Sequence, residues 1–421
     1  MKQRINNLRE KAGRHKTLIQ NFSYLSALQV FNMLLPLITY PYLIRVLGKE
    51  TYGLVVFAQA IVGYLVILVG FGFNISATKE VSIHRNNKNK INEIVSSILL
   101  VKGVLFLLSI VIVAGLVFLI PQAQEHKVLF YLTMWMCLYE FIFPIWYFQG
   151  VEKMQYITVI NVVLRTTFVL LIFTFVRKET DYLLVPIFNG IGAILAGVVS
   201  YFILLKVYKI KIIIPRLPII ITHTTNAAKL LITSVTGIIK DKSNTVIIGF
   251  SLGMEEVAYY DLADKIVSLL SNIFYTIGNV VFPNYARNKN KSLAKKILKY
   301  SFIVSVIIYI AVGISLPSLI RLIISDNMIE AAKIFLVLGP LVIFRNLSYF
   351  TGAVILIGEG FIKEIVINMI YSTIVYLALI SFFYFVDQLN VYTIAGSLVA
   401  SVIFEFANRW YYCIKHSLLK Y

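Results

Sequence analysis

Leu252–Asn279 reads LGMEEVAYYDLADKIVSLLSNIFYTIGN, and 205 residues earlier Leu47–Asn74 reads LGKETYGLVVFAQAIVGYLVILVGFGFN. Aligned without a gap, the two share eight of 28 positions, among them Leu-Gly-x-Glu (Leu47, Gly48, Glu50; Leu252, Gly253, Glu255). Each is long enough to cross a bilayer as a helix, since about 20 residues cover a hydrocarbon layer of roughly 30 Å. Two related segments this far apart predict two related halves of one chain.

About twelve apolar runs follow one another from Asn21 to Ile414. They are centred near Met33, Ile61, Leu108, Leu138, Leu170, Ala193, Ser234, Leu269, Val306, Val342, Leu377 and Val402. Charged residues make up only 14% of the 421 residues, which excludes a soluble globular domain. The expected fold class is an all-α polytopic membrane protein, because in lipid every backbone polar group must bond inside its own helix. The N-terminal stretch is basic and no small-residue cleavage pattern follows it, so the first run reads as an uncleaved signal.

Assigning the gaps alternately to the two sides of the membrane sorts the Lys and Arg residues. One side takes 25, and the other takes six, namely Arg45, Lys49, Lys127, Arg177, Lys178 and Arg321. The positive-inside bias puts both termini in the cytoplasm. It also absorbs most of the net charge of +19, which reads as topology and attraction to anionic headgroups, not nucleic-acid binding. With about six helices per half, an even number, the halves are parallel repeats around a central cavity, the architecture of alternating access. The expected division is an N-terminal bundle at 1–210, a cytoplasmic linker at 211–226 holding Pro215 and Pro218, and a C-terminal bundle at 227–421.

Eight basic residues remain in or at the edges of spans: Lys102, Arg165, Lys229, Lys240, Lys242, Lys265, Lys333 and Arg345. Glu140, Asp241, Asp261, Asp264 and Glu405 join them. A charge at the bilayer centre costs about 2.5–3.5 kcal/mol on insertion scales, so these groups face protein or water. In the eighth run Asp261, Asp264, Lys265, Ser268, Asn272, Thr276 and Asn279 fall on one helical face. That stripe reads as a wet cavity wall, with an Asp-Lys network joining helices as the competing structural explanation. In the seventh run Thr233, Thr236, Lys240, Ser243 and Asn244 share a side, from which Asp241 and Lys242 turn away. Asn32, Thr39, Gln59, Gly63 and Asn74 are the uncharged counterparts in the first half. Lys102 and Lys229 lie near span ends and read as snorkelling, and Glu405 with Arg409, four apart, as a pair on one helix. Glu140, Arg165 and Arg345 have no partner within a turn. With Lys240 and the neighbours Asp264 and Lys265 they are the candidates for function. More basic than acidic groups predicts an anionic cargo, since Arg and Lys hold phosphate by charge-assisted hydrogen bonds.

Four stretches carry a resemblance: Pro36–Gly53 (PLITYPYLIRVLGKETYG), Phe71–Ser82 (FGFNISATKEVS), Trp146–Arg165 (WYFQGVEKMQYITVINVVLR) and Val280–Arg287 (VVFPNYAR). In order, and over nearly the whole chain, they are similar to the Wzx-type O-antigen and polysaccharide-repeat flippases of the multidrug/oligosaccharidyl-lipid/polysaccharide (MOP) superfamily. The resemblance implies two six-helix bundles in a V shape in the bacterial inner membrane. It implies export of an undecaprenyl-pyrophosphate-linked oligosaccharide from the cytoplasmic to the periplasmic leaflet, driven by an ion gradient. It also implies a cationic lumen for the pyrophosphate, a character that falls here on Lys240 and Arg345. The Lys-Asp-Lys at 240–242 matches no motif of the family.

The site expected on these grounds has Lys240, Arg345, Lys265 and Arg165 toward the phosphate. Asn32, Gln59, Thr236, Asn244, Ser268 and Asn272 line the cavity, and Asp261, Asp264 or Glu140 titrates or binds a cation. Partners expected besides the lipid-linked oligosaccharide are membrane lipids, a polysaccharide polymerase and a chain-length regulator. None of the five His lies at a span centre, and Cys137 and Cys413 are far apart in sequence, so neither metal nor cofactor is expected. Two rivals are a drug or cation exporter, which should present an acid-dominated cavity, and a membrane polymerase or ligase, which usually carries a large periplasmic loop.

Overall fold

A computed structural model describes residues 2–419, and their side chains except at 2–19, 22, 25, 232–234, 280, 283 and 284. The side chains of Thr233, of the basic residues from Lys2 to Lys16 and of Lys420 lie outside those described. Among the described residues there is no strand. In chain order the helices are α1 (Lys2–Gly70), α2 (Phe73–His84), α3 (Lys88–Leu119), α4 (Pro121–Glu125), α5 (Lys127–Thr133), α6 (Trp135–Ile142), α7 (Ile145–Gly150) and α8 (Met154–Phe175). They continue as α9 (Leu184–Phe202), α10 (Leu217–Ser251), α11 (Met254–Asn288), α12 (Lys291–Ile323), α13 (Glu330–Leu338), α14 (Pro340–Tyr349), α15 (Ile362–Phe385) and α16 (Val391–Lys415). Eight described helical segments are long and apolar enough to cross a membrane, nine if the pair Asp326–Leu338 and Pro340–Leu356, bent by 42°, is one span. The first of them, Ser26–His84, contains two of the expected runs. Both α10 and α11, whose apolar runs are interrupted by polar and charged positions, fall outside that count.

The repeated Leu-Gly-x-Glu sequence makes a turn in both places. Gly48 breaks α1 into two helices with φ 74°, and Gly253 joins α10 to α11 with φ 106°. A Cβ at either glycine would meet nothing within 4 Å, so the requirement is backbone conformation, not space. The two turns also meet. Lys49 Nζ pairs with Glu255 at 2.7 Å and donates to the Tyr259 hydroxyl at 2.8 Å. Elsewhere asparagines start helices: Asn87, Asn290 and Asn390 each accept a backbone N–H of the first turn of α3, α12 and α16.

The chain forms two compact units. One holds Met1–Thr39 and Ile61–Ser234, and the other Tyr40–Ala60 and Val235–Tyr421. In the first, Phe73, Trp146, Tyr147 and Phe148 form the centre of an apolar core. Here two of the resemblance stretches pack on each other: Thr78 donates to the Trp146 carbonyl at 3.3 Å, and a Cβ on Gly150 would come within 2.6 Å of Val81. In the second, α11 packs on α13 and α14, and α16 on α13, α14 and α15, burying Tyr260, Phe335, Leu338 and Leu341.

Candidate functional site

The second unit holds most of the charges expected inside spans, and the structure sorts them into three groups. The most buried centres on Glu405 of α16. One carboxylate oxygen takes Lys240 Nζ of α10 at 2.5 Å, and the other takes Arg409 Nη2 at 2.8 Å and the Ser348 hydroxyl of α14 at 2.8 Å. Ser372 of α15 accepts from Lys240 at 3.0 Å, and Arg409 continues the network to Asn368 at 2.9 Å and to the Ser348 carbonyl at 2.7 Å. Four helices therefore meet on one carboxylate. A turn of π-helix at Phe350–Leu356 comes directly after α14. In that turn Gly352 faces Arg409: an added Cβ would lie 2.6 Å from Nη1. Gly352→Ala is expected to cost about 1–3 kcal/mol by overpacking, read as a lower thermal unfolding midpoint in detergent.

The second group joins α11 to the turn around Gly48. Lys265 Nζ donates to Asp261 at 2.6 Å, one helical turn back, and to the Tyr52 hydroxyl at 2.8 Å, while Tyr52 donates to the same Asp261 oxygen at 2.7 Å. The ammonium lies 3.5 Å from the centre of the Tyr40 ring. Lys265 is thus paired with Asp261, not with its neighbour Asp264.

The third group is looser. Arg345 of α14 reaches Asp241 of α10 at 3.8 Å through Nη2 and Asp264 of α11 at 3.9 Å through Nη1. Neither contact is a direct hydrogen bond. The guanidinium side chain is 16% exposed, and Asp241 is 66% exposed. Behind the guanidinium, fully buried Asn244 bridges the Tyr260 hydroxyl at 2.7 Å and the Tyr376 hydroxyl at 2.5 Å.

In the first unit, Lys102 of α3 does not snorkel. Its side chain is 1% exposed, and Nζ donates to the Glu140 carboxylate at 2.7 Å and carbonyl at 3.0 Å. Asn74 donates to the same carboxylate at 3.1 Å, beside the break between α1 and α2 where Phe71 and Gly72 have φ of 45° and 80°. Arg165 on α8 is exposed, and neither it nor Lys229 makes an ion pair among the described residues.

Glu140 and Arg345, without partners on their own helices, take them from neighbours, and Asp241 turns toward Arg345. Lys240 and Asn244 are buried, at 8% and 0% exposure. Thr236, Ser268, Asn272, Gln59 and Asn32 are half-buried, and the Asn32 Oδ1 atom has no hydrogen-bond partner among the described residues. The Glu405 network was legible only in part. Asn368 with Ser372 and Glu405 with Arg409 are both polar pairs four apart in apolar runs, a spacing that puts each pair on one face.

Comparison with known proteins agrees with this architecture. The profile of the family described as polysaccharide biosynthesis protein matches residues 18–289. A protein of Escherichia coli (strain K12) named "Putative O-antigen transporter" is 25% identical over 354 residues, 83% of this chain and 85% of that one. A Shigella dysenteriae protein of the same name is 28% identical over 271 residues, 64% and 68% of the two chains. Among solved structures, an inward-facing multidrug resistance MATE family transporter of the MOP superfamily superposes with a TM-score of 0.72 at 13% identity, over 92% of this chain and 96% of that one. The lipid II flippase MurJ, in an inward closed conformation, gives a TM-score of 0.72 at 12% identity, over 96% and 89%. These two likenesses concern the fold. On the family match, the chain belongs to the polysaccharide biosynthesis protein family and has the helical fold of MOP-superfamily transporters.

Proposed function

We propose that the protein is a flippase for a lipid-linked saccharide, carrying an undecaprenyl-pyrophosphate-linked oligosaccharide across the bacterial inner membrane by alternating access, with both termini in the cytoplasm. The observation that carries the site assignment is the contrast among its internal cations. Lys102, Lys240 and Lys265 are held by carboxylates at hydrogen-bond distance, whereas Arg345 meets its two acids only at 3.8 and 3.9 Å. A guanidinium with uncommitted donors is suited to the paired oxygens of a diphosphate. On this reading Arg345 grips the headgroup, Asp241 and Asp264 hold the fork when no cargo is bound, and the saccharide follows the polar face of α11 through Ser268, Asn272 and Asn279. Coupling to an ion gradient is assigned to Asp264, whose partner the cargo takes; Asp261 is committed to Lys265 and Tyr52.

The same inventory weighs against a cation or drug exporter. Such a site needs acids in excess, and here Glu140, Asp261 and Glu405 are held by lysines at hydrogen-bond distance, while Asp241 and Asp264 share Arg345. A deletion strain tests the choice. Loss of surface polysaccharide with build-up of the lipid-linked unit, and unchanged drug sensitivity, is expected. Wild-type surface polysaccharide with increased drug sensitivity would select the exporter.

A further inference from the structure

Between α9 and α10 the first unit carries a segment that the transport reading does not use. After α9 a turn of π-helix, Ile203–Val207, ends where the Ile210 N–H bonds back to the Leu204 carbonyl at 3.0 Å, with Lys209 in the left-handed region at φ 53°. The chain then runs without helix to Leu217 along α3. The Lys211 N–H donates to Asn92 Oδ1 at 2.9 Å and the Ile213 N–H to Ser96 Oγ at 2.9 Å. The spacing explains the fit. Two residues of extended chain advance about 6.6 Å, and the step from residue 92 to residue 96 of a helix is about 6 Å. Asn92 and Ser96 are both buried, so the linker is fixed in place by acceptors inside α3.

Fixed this way, the segment presents apolar and basic side chains together. Ile214 is 95% exposed, Leu217 67% and Ile212 59%, among Lys206, Lys209, Lys211 and Arg216, which are all exposed. Unlike the lipid-facing residues of the helices, Ile212 and Ile214 stand on irregular backbone, and Leu217 begins α10 directly after it. Such backbone cannot lie in the hydrocarbon, where its free polar groups would find no partner, so the segment belongs at the level of the headgroups. Aliphatic groups there dip into the acyl boundary while four cations remain among the phosphates.

We propose that 206–217 is a built binding surface for anionic phospholipid headgroups, which anchors the linker to the membrane surface on the side where the basic gaps lie. The proposal is independent of the cargo. It is tested on the full chain carrying Ile214→Cys labelled with a fluorophore, since Cys137 and Cys413 are buried. The protein is placed in phosphatidylcholine vesicles with a minor fraction of phosphatidylglycerol, and headgroup spin labels are put on one lipid or the other. Quenching by labelled phosphatidylglycerol should exceed quenching by labelled phosphatidylcholine at equal mole fraction. The excess should fall by up to about fivefold for each of Lys206, Lys209, Lys211 and Arg216 changed to Gln. It should also shrink in unaltered protein when salt is raised from about 0.1 to about 1 M, as the screening length drops from about 10 to about 3 Å. Equal quenching by both lipids, or full quenching by aqueous iodide, overturns the proposal. So does an excess that arises only when undecaprenyl diphosphate is added, which would make the segment a collector of cargo.

Discussion

Arg345→Ala is expected to slow export of the lipid-linked saccharide by about 10- to 100-fold, the equivalent of about 1.5–3 kcal/mol for hydrogen bonds to a charged partner. Arg345→Lys should recover part of the rate, because an ammonium restores the charge and not the bidentate fork. The unfolding midpoint should change little for either variant. Among the described residues Arg345 makes two ion pairs, both at the limit of contact, and one of them is to an exposed carboxylate. Complementation of a deletion strain, with surface polysaccharide scored against the amount of protein in the membrane, reads the effect in cells. Wild-type output from Arg345→Ala would remove the phosphate assignment.

Glu405→Leu should have the largest effect on stability. It leaves Lys240 and Arg409, each 8% exposed, without their shared counter-ion, and breaking a buried ion pair from one side costs about 3–5 kcal/mol. The double change Lys240→Met with Glu405→Gln removes one charge of each sign and should regain much of the lost stability. Thermal unfolding in detergent and the yield of folded protein check both. Per folded molecule, Lys240→Met is expected to flip cargo at close to the wild-type rate, because its ammonium is occupied by Glu405 and Ser372. A large loss of rate at unchanged stability would return Lys240 to the binding site.

The membrane class and the two Leu-Gly-x-Glu turns were legible because they rest on local rules. A span needs length and apolar character, and a turn of positive φ needs glycine, which is why Leu-Gly-x-Glu recurs at Gly48 and Gly253. The face of α11 was legible for the same reason, since helical periodicity is a property of one segment. What spacing could not show is pairing between segments. Asp264 and Lys265 are adjacent in sequence, yet one faces Arg345 on α14 and the other closes on Asp261 and Tyr52. Lys102 lies near a span end, where a long side chain normally snorkels, and only the placement of α6 against α3 brings Glu140 to it. Of the eight basic residues in or at the edges of spans, Lys102, Lys240, Lys265 and Lys333 pair with carboxylates at hydrogen-bond distance, and Arg345 meets its two acids only at 3.8 and 3.9 Å.

Transport of a lipid-linked saccharide can be followed with purified protein in sealed vesicles. An undecaprenyl-diphosphate oligosaccharide with a fluorescent sugar is incorporated in both leaflets, and a membrane-impermeant reductant bleaches the outer one. With the wild-type protein, bleaching should proceed past half to near completion, and with Arg345→Ala it should stall near half on the same time scale. Bleaching that stops at half with wild-type protein, under an imposed ion gradient of either sign, would contradict the account.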